Sequence, residues 1–317
     1  MNSVKSPTEL LARLNLSEQD FCLSDKAIDT FPLLVPLAFI SRIKPGDPKD
    51  PLLLQVINSK QEELIVPDYS ADPLHESDAN PVPGLVRKYQ NRALLIVTGK
   101  CAINCRYCFR REFPYEQNNP SRNDWTRALD YLAQHKEIEE VILSGGDPLA
   151  ASDRHLKWLI EAVSNIATIK RLRVHTRLPI VIPDRITGEL TGILDQCPLI
   201  TTVVVHANHT NEMDESVISG LNKLKSKVDF LLNQSVLLKG VNDSLDAQVK
   251  LQNACVAAGV QPYYLHFLDK VNGTSHFEVS KKSALKLYAQ MQASLSGFML
   301  PKLVVELPRS QSKQILQ

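Results

Sequence analysis

The stretch Ala93-Leu94-Leu95-Ile96-Val97-Thr98-Gly99-Lys100-Cys101-Ala102-Ile103-Asn104-Cys105-Arg106-Tyr107-Cys108 joins a short apolar run to three closely spaced cysteines. The run reads as a buried β-strand. The cysteines follow as C-x3-C-x2-C, a spacing that lets one short loop turn three thiolates toward a single inorganic centre. Three ligands are too few to close a structural tetrahedral zinc site, which takes four. A four-iron cluster on three thiolates leaves one iron without a protein ligand, and that open iron points to chemistry. His135 and His155 lie well outside the loop, so zinc lacks a fourth ligand. A disulfide needs an oxidising compartment that nothing in the chain signals. Cys22, Cys197 and Cys255 stand singly and read as small buried apolar residues.

Outward from this strand the pattern repeats. Apolar runs recur at Ala93–Thr98, Val141–Ser144, Leu172–His175, Thr201–His206, Phe230–Val236 and Tyr263–Phe267. Between and after them lie helical spacings at Trp125–Gln134, His155–Ile166, Pro183–Leu194, Glu212–Leu224, Leu245–Ala258 and Ser280–Leu295. Strand then helix, six times over, predicts parallel strands with right-handed crossovers. The runs show little polar alternation, which predicts strands covered on both faces. An open doubly wound sheet and a full or partial barrel both fit. Residues up to Leu85 differ: Leu10, Leu11, Leu14 and Leu16 suggest a short amphipathic helix, and a Pro-rich region with Pro32, Pro36, Pro45, Pro48 and Pro51 follows. We therefore divide the chain into an N-terminal helical and irregular extension (1–85), an α/β unit (86–300) and a short C-terminal segment (301–317).

The 317 residues bury a substantial core, and 44% hydrophobic with 22% charged residues is ordinary for a soluble protein. A net charge of +1, from 36 basic and 35 acidic side chains, argues against nucleic-acid binding through a broad basic face. The first residues lack the apolar core of a signal peptide, and no apolar run is long enough to span a membrane. The expected location is the reducing cytoplasm.

Polar residues gather where each strand ends: the cysteine loop, Gly145-Gly146-Asp147-Pro148, His175-Thr176-Arg177, His206, Asn233-Gln234-Ser235 and His266 to Asp269. In parallel α/β proteins that edge carries the active site. Singly, the signals are weak. The glycine turn serves a tight connection as readily as a ligand. His175, His206, His209 and His266 each read first as hydrogen-bonded structural residues. Asp269 and Glu306 would favour a cationic group if they shared a pocket, but alone they read as solvated loop residues. Lys313 reads by default as a surface lysine, since imine chemistry needs a desolvated amine.

Together the cysteine loop, the glycine turn and the alternation resemble the radical S-adenosylmethionine (SAM) superfamily. Longer strings narrow the resemblance: Pro83-Gly84-Leu85, Cys105 to Arg111, Ser144 to Leu149, Arg177 to Pro183, Asn233 to Leu238 and Tyr263 to His266. They are similar to the lysine 2,3-aminomutase family, from about Asp47 to the C-terminus. The short branch that makes (R)-β-lysine for modification of elongation factor P is the nearest match, because the chain stops four residues after Lys313.

The resemblance implies a partial (β/α)6 TIM-like barrel with a [4Fe–4S] cluster on Cys101, Cys105 and Cys108. It implies SAM on the open iron, lined by Gly145, Gly146, Asp147 and His206. Pyridoxal phosphate (PLP) would sit on Lys313, its phosphate held by Arg92 and Gln234, with Lys88 as a second basic contact. Arg110 would pair with the carboxylate of L-lysine, while Asp269 and Glu306 read its ε-ammonium. Glu306 stands where the longer enzymes carry aspartate, and Arg309-Ser310-Gln311-Ser312 lacks the glycines usual before the PLP lysine. A flavodoxin or ferredoxin would reduce the cluster, giving a 5′-deoxyadenosyl radical, and a separate ligase would take the product to elongation factor P. Other readings are a catabolic aminomutase, a radical SAM enzyme without PLP, and a non-catalytic iron–sulfur carrier.

Overall fold

A computed structural model describes residues 2–118 and 122–316. The six apolar runs become parallel strands β2 (Arg92–Thr98), β3 (Glu140–Gly145), β4 (Arg171–Thr176), β5 (Ile200–His206), β6 (Phe230–Val236) and β7 (Gln261–His266). An antiparallel strand β1 (Leu85–Tyr89) flanks β2, and β8 (Lys302–Val305) continues the parallel set before the antiparallel β9 (Gln314–Ile315). The returning helices are α1 (Arg122–Gln134), α2 (Asp153–Ser164), α3 (Gly188–Asp195), α4 (Glu215–Lys225), α5 (Leu245–Ala257) and α6 (Lys281–Ser294). Five start on side-chain caps: Ser152, Thr187, Asp214, Ser244 and Ser280 each accept a backbone N–H from the first turn.

Sheet order runs β9-β8-β7-β6-β5-β4-β3-β2-β1, strictly with the chain. A doubly wound sheet reverses direction at a switch point; this one never does. Right-handed crossovers then place every helix on one face and the sheet curls around the other. The two ends of the sheet come together through Lys88 of β1, whose Nζ lies 2.9 Å from Glu306 just past β8. The architecture is a partial (β/α)6 barrel with its lumen lined by the second face.

That lumen corrects one sequence expectation. The strands are not apolar on both faces: on β4, Leu172 and Val174 are buried under the helices while Arg171, Arg173 and His175 alternate with them. Arg173 stands in register with Ile142 and Thr202, and Gln234 with His206 and Tyr264. One face of β4 is apolar and the other carries polar side chains, so its patterning follows two environments.

Residues before β1 pack on the same core. Leu10, Leu11, Leu33, Phe39 and Leu52 join one apolar cluster with Leu95, Leu143 and Val203. Among the described residues, no helix is long and apolar enough to cross a membrane.

Candidate active site

The cysteine loop leaves the end of β2 and is held from outside by the N-terminal extension. Arg106, fully buried, donates from Nε to Glu62 Oε1 (2.9 Å) and from Nη1 to Phe31 O (2.6 Å). Backbone bonds add Asn104 N to Leu34 O (3.0 Å) and Arg106 N to Gln55 O (2.9 Å). Burial first, then the neighbouring Cys105, pushes the Cys108 thiol up to about 11. Burial, with Cys108, Asp147 and Cys105 beside it, raises Cys101 well above the ordinary thiol range. Crowded thiols that suppress one another's ionisation suit a cationic centre, which relieves that repulsion. Among the described residues no three His, Cys, Asp or Glu side chains are gathered closely enough for a single metal ion.

The glycine turn answers to the same loop. Gly146 N donates to Thr98 O (2.8 Å) and Asp147 N to Lys100 O (2.9 Å). A Cβ on Gly146 would fall 2.4 Å from Lys100 O, and Gly145 has φ +119°. What closely approaches these glycines is the backbone leading into the cysteines. The Asp147 carboxylate accepts from Leu149 N, Thr176 Oγ1, Arg177 N and Leu178 N at 2.7–3.0 Å, tying the exits of β3 and β4 together.

Histidines line the lumen. His206 Nε2 lies 3.3 Å from Tyr107 Oη and 3.2 Å from Asn208 Oδ1. Burial, then Arg177, lowers it to about 4; burial, then Lys313, lowers His266 to about 3. Burial, then Arg173 and Lys313, depresses His175, whose Nε2 is buried without a partner. All three are neutral imidazoles at pH 7. A buried, unpartnered ring nitrogen among these polar side chains fits a site that takes a polar guest. His209 instead caps the short turn Thr210–Glu212, accepting Asn211 N at 3.2 Å.

Across the lumen runs a chain of charges. Arg110 grips Glu76 through Nε (2.6 Å) and Nη2 (2.9 Å) and donates from Nη1 to Ser144 Oγ (3.1 Å). Lys88 Nζ lies 3.0 Å from Glu76 and 2.9 Å from Glu306, and Lys313 Nζ donates to the other Glu306 oxygen. Burial would raise Glu306, but Lys313 and Lys88 overcome it and hold the carboxyl well below its usual range. Burial first, then Glu306, pushes Asp269 up to about 7. The Arg92 guanidinium stacks 4.0 Å from the Tyr89 ring, whose hydroxyl reaches Glu306 at 3.4 Å. Thus Lys88, Arg110, Glu306 and Lys313 form one continuous set with Asp269 in its field. Arg92 borders the set through Tyr89, and Gln234 lies on β6 beside His206 in the register of the sheet.

Residues 95–246 match the profile of the Radical SAM superfamily. The L-lysine 2,3-aminomutase of Haemophilus influenzae is 48% identical over 314 residues, spanning 99% of this chain and 93% of that protein. The Escherichia coli protein of the same name is 48% identical over 311 residues, spanning 98% and 91%. The chain belongs to the lysine 2,3-aminomutase family of radical SAM enzymes. The Clostridium subterminale L-lysine 2,3-aminomutase is 32% identical over 310 residues, 97% of this chain and 74% of that protein. The family's reaction is an isomerisation that moves an amino group within one molecule, and its cofactors are a [4Fe–4S] cluster, SAM and PLP.

Membership in the aminomutase family sets apart what sequence reading missed. Glu76, Arg177 and Glu212 are buried charges bonded to predicted site residues or their neighbours. No motif marks Glu76 or Glu212, whose partners Arg110 and Arg177 lie 34 and 35 positions away; Arg177 stands in the string Arg177 to Pro183, but its bond to Cys105, 72 positions back, was not legible there.

Proposed function

We propose that the protein converts L-lysine to (R)-β-lysine in a reducing cytoplasm. A flavodoxin or ferredoxin supplies the electron, and a separate ligase attaches the product to elongation factor P. The charge balance around Lys313 carries this reading. Glu76, Glu306 and Asp269 face Arg110, Lys88 and Lys313, three potential anions against three cations. Once the Lys313 nitrogen is committed to PLP, Glu306 is short of one cation. With Asp269 beside it, two carboxylates are offered to an incoming ammonium. Lysine brings that charge on its side chain.

Cys101, Cys105 and Cys108 would hold the cluster, with Gly145, Gly146, Asp147 and His206 lining SAM. Lys313 would anchor PLP, with Arg92, Gln234 and Lys88 toward its phosphate. When bound, these groups supply a 5′-deoxyadenosyl radical and an electron sink for the migrating nitrogen. The protein's own part is to place and dry the substrate. Arg110 spends Nε and Nη2 on Glu76 and Nη1 on Ser144 Oγ, and each Nη group keeps one further N–H for the substrate carboxylate. Neutral His175, His206 and His266 add no competing cation to the lumen. An anaerobic assay of reconstituted protein with SAM, PLP and L-lysine, read by chiral chromatography, tests the proposal. (R)-β-lysine is the expected product. The (S) isomer would favour the catabolic branch, and SAM cleavage without β-lysine would overturn the substrate.

A further inference from the structure

The Arg177 side chain is one charge that the amino-group chemistry leaves unused. It follows β4, is 7% exposed, and reaches back to the cysteine loop. Its Nη1 donates to Cys105 Sγ at 2.6 Å and also to Tyr107 Oη. Its Nη2 donates to Gln55 Oε1 (2.8 Å) and Glu212 Oε2 (3.0 Å). Glu212 is fully buried; its other oxygen accepts from Asn208 N (2.9 Å), His209 N (3.1 Å) and Gln55 Nε2 (3.2 Å). The guanidinium is therefore fixed in a fork whose outer edge belongs to the protein and whose inner edge points at one cluster ligand. Of the three loop cysteines, Cys105 is the one whose sulfur accepts from a guanidinium among the described residues, while Cys108 meets the Arg110 backbone N–H.

We infer that Arg177 is a positioning residue for the cluster: it sets the reduction potential by an N–H···S bond and a buried positive charge on Cys105. The inference rests on the cluster assignment above and is independent of which amino acid is the substrate. Reduction adds one electron, delivered by the external one-electron donor, to a cluster whose thiolates already carry negative charge. Hydrogen bonds to the sulfurs and local charge are levers that tune such potentials. A cation held against one sulfur stabilises the added electron and raises the potential. Glu212 offsets part of that charge and keeps the fork in place. Gln55 gives the N-terminal extension the same task, since its backbone also accepts Arg106 N from inside the loop.

The test is a mediated redox titration of the reconstituted full-length protein without SAM, followed by the EPR signal of the reduced cluster. Iron and sulfide are assayed on each sample. Arg177→Gln should keep a full cluster yet shift the oxidised-to-reduced ratio at a given potential at least tenfold toward oxidised, 59 mV for a one-electron couple. Arg177→Lys, which keeps the charge, should lie between the two. A full cluster with an unmoved midpoint in Arg177→Gln overturns the inference. Should Arg177→Gln fail to retain its cluster, the parent protein labelled with guanidino-15N arginine decides. Pulsed EPR of its reduced cluster should show a 15N coupling that Arg177→Lys lacks, and the same spectrum in both proteins overturns the inference. A parent protein that takes up no iron would overturn the cluster assignment itself.

Discussion

Replacing Asp269 by asparagine tests the proposed ammonium site most directly. Burial and then the Glu306 carboxylate raise this carboxyl from an ordinary 3.8 to about 7. At 1.36 kcal/mol for each tenfold in proton affinity, that rise amounts to about 4 kcal/mol of unfavourable ionisation in the empty site. A substrate ammonium between Asp269 and Glu306 relieves it, so the interaction available to lysine is of the same order. Asp269→Asn should therefore lower kcat/KM for lysine by up to about a thousandfold. SAM binding, read from its perturbation of the cluster EPR signal, should stay at the parent level. The pH dependence has a definite sign. Below about 7 Asp269 holds a proton and offers no charge; as pH rises through about 7 the proton leaves and KM for lysine should fall. The protonated form favours the folded state, and that contribution fades over the same climb from 3.8 to about 7. Asp269→Asn should flatten the KM profile. A kcat/KM close to the parent's, or an equal loss of SAM binding, refutes the reasoning.

Lys313→Ala should abolish the PLP absorbance and borohydride-trappable adduct while iron content stays unchanged; loss of iron as well would tie Lys313 to folding. Gly146→Ala puts a Cβ within 2.4 Å of Lys100 O and 2.9 Å of Gly99 C, so the cysteine loop must shift. It should cost about 1–3 kcal/mol in urea unfolding and lower the iron retained per chain. Glu62→Gln leaves the fully buried Arg106 without its anion and should cost about 3–5 kcal/mol in a denaturant titration. A cost below about 1 kcal/mol would mean the pair is solvated.

The periodic part of the molecule was legible in the sequence. Each of the six apolar runs became a strand and each helical stretch a helix, with ends displaced by a few residues. Those signals are local. The choice between a barrel and a doubly wound sheet was not, because it depends on which strands neighbour which. The bare-sequence readings of Lys313, Asp269 and Glu306 as solvated surface groups fail for a related reason. Glu306 is shielded where β1 approaches β8 from the far end of the sheet, and nothing in Val305-Glu306-Leu307 announces it. The glycines were read for what they permit; that the cysteine loop itself presses on them needed coordinates. Glu76 lies in an irregular stretch and carries no pattern; Arg177 was visible at a strand exit and in the string to Pro183, but its bond to Cys105 was not.

The strict agreement of sheet order with chain order has a consequence for synthesis. Each strand pairs with the one made just before it, so no strand of the sheet waits on a partner from distant sequence. The cysteine loop and the glycine turn that braces it are complete by Asp147. Lys313 follows 166 residues later, about ten to thirty seconds at ordinary translation rates. On the proposed assignment the cluster ligands are thus made well before the lysine that would anchor PLP. The joining of Lys88 to Glu306 comes last, after every residue proposed for the cluster and SAM has been made.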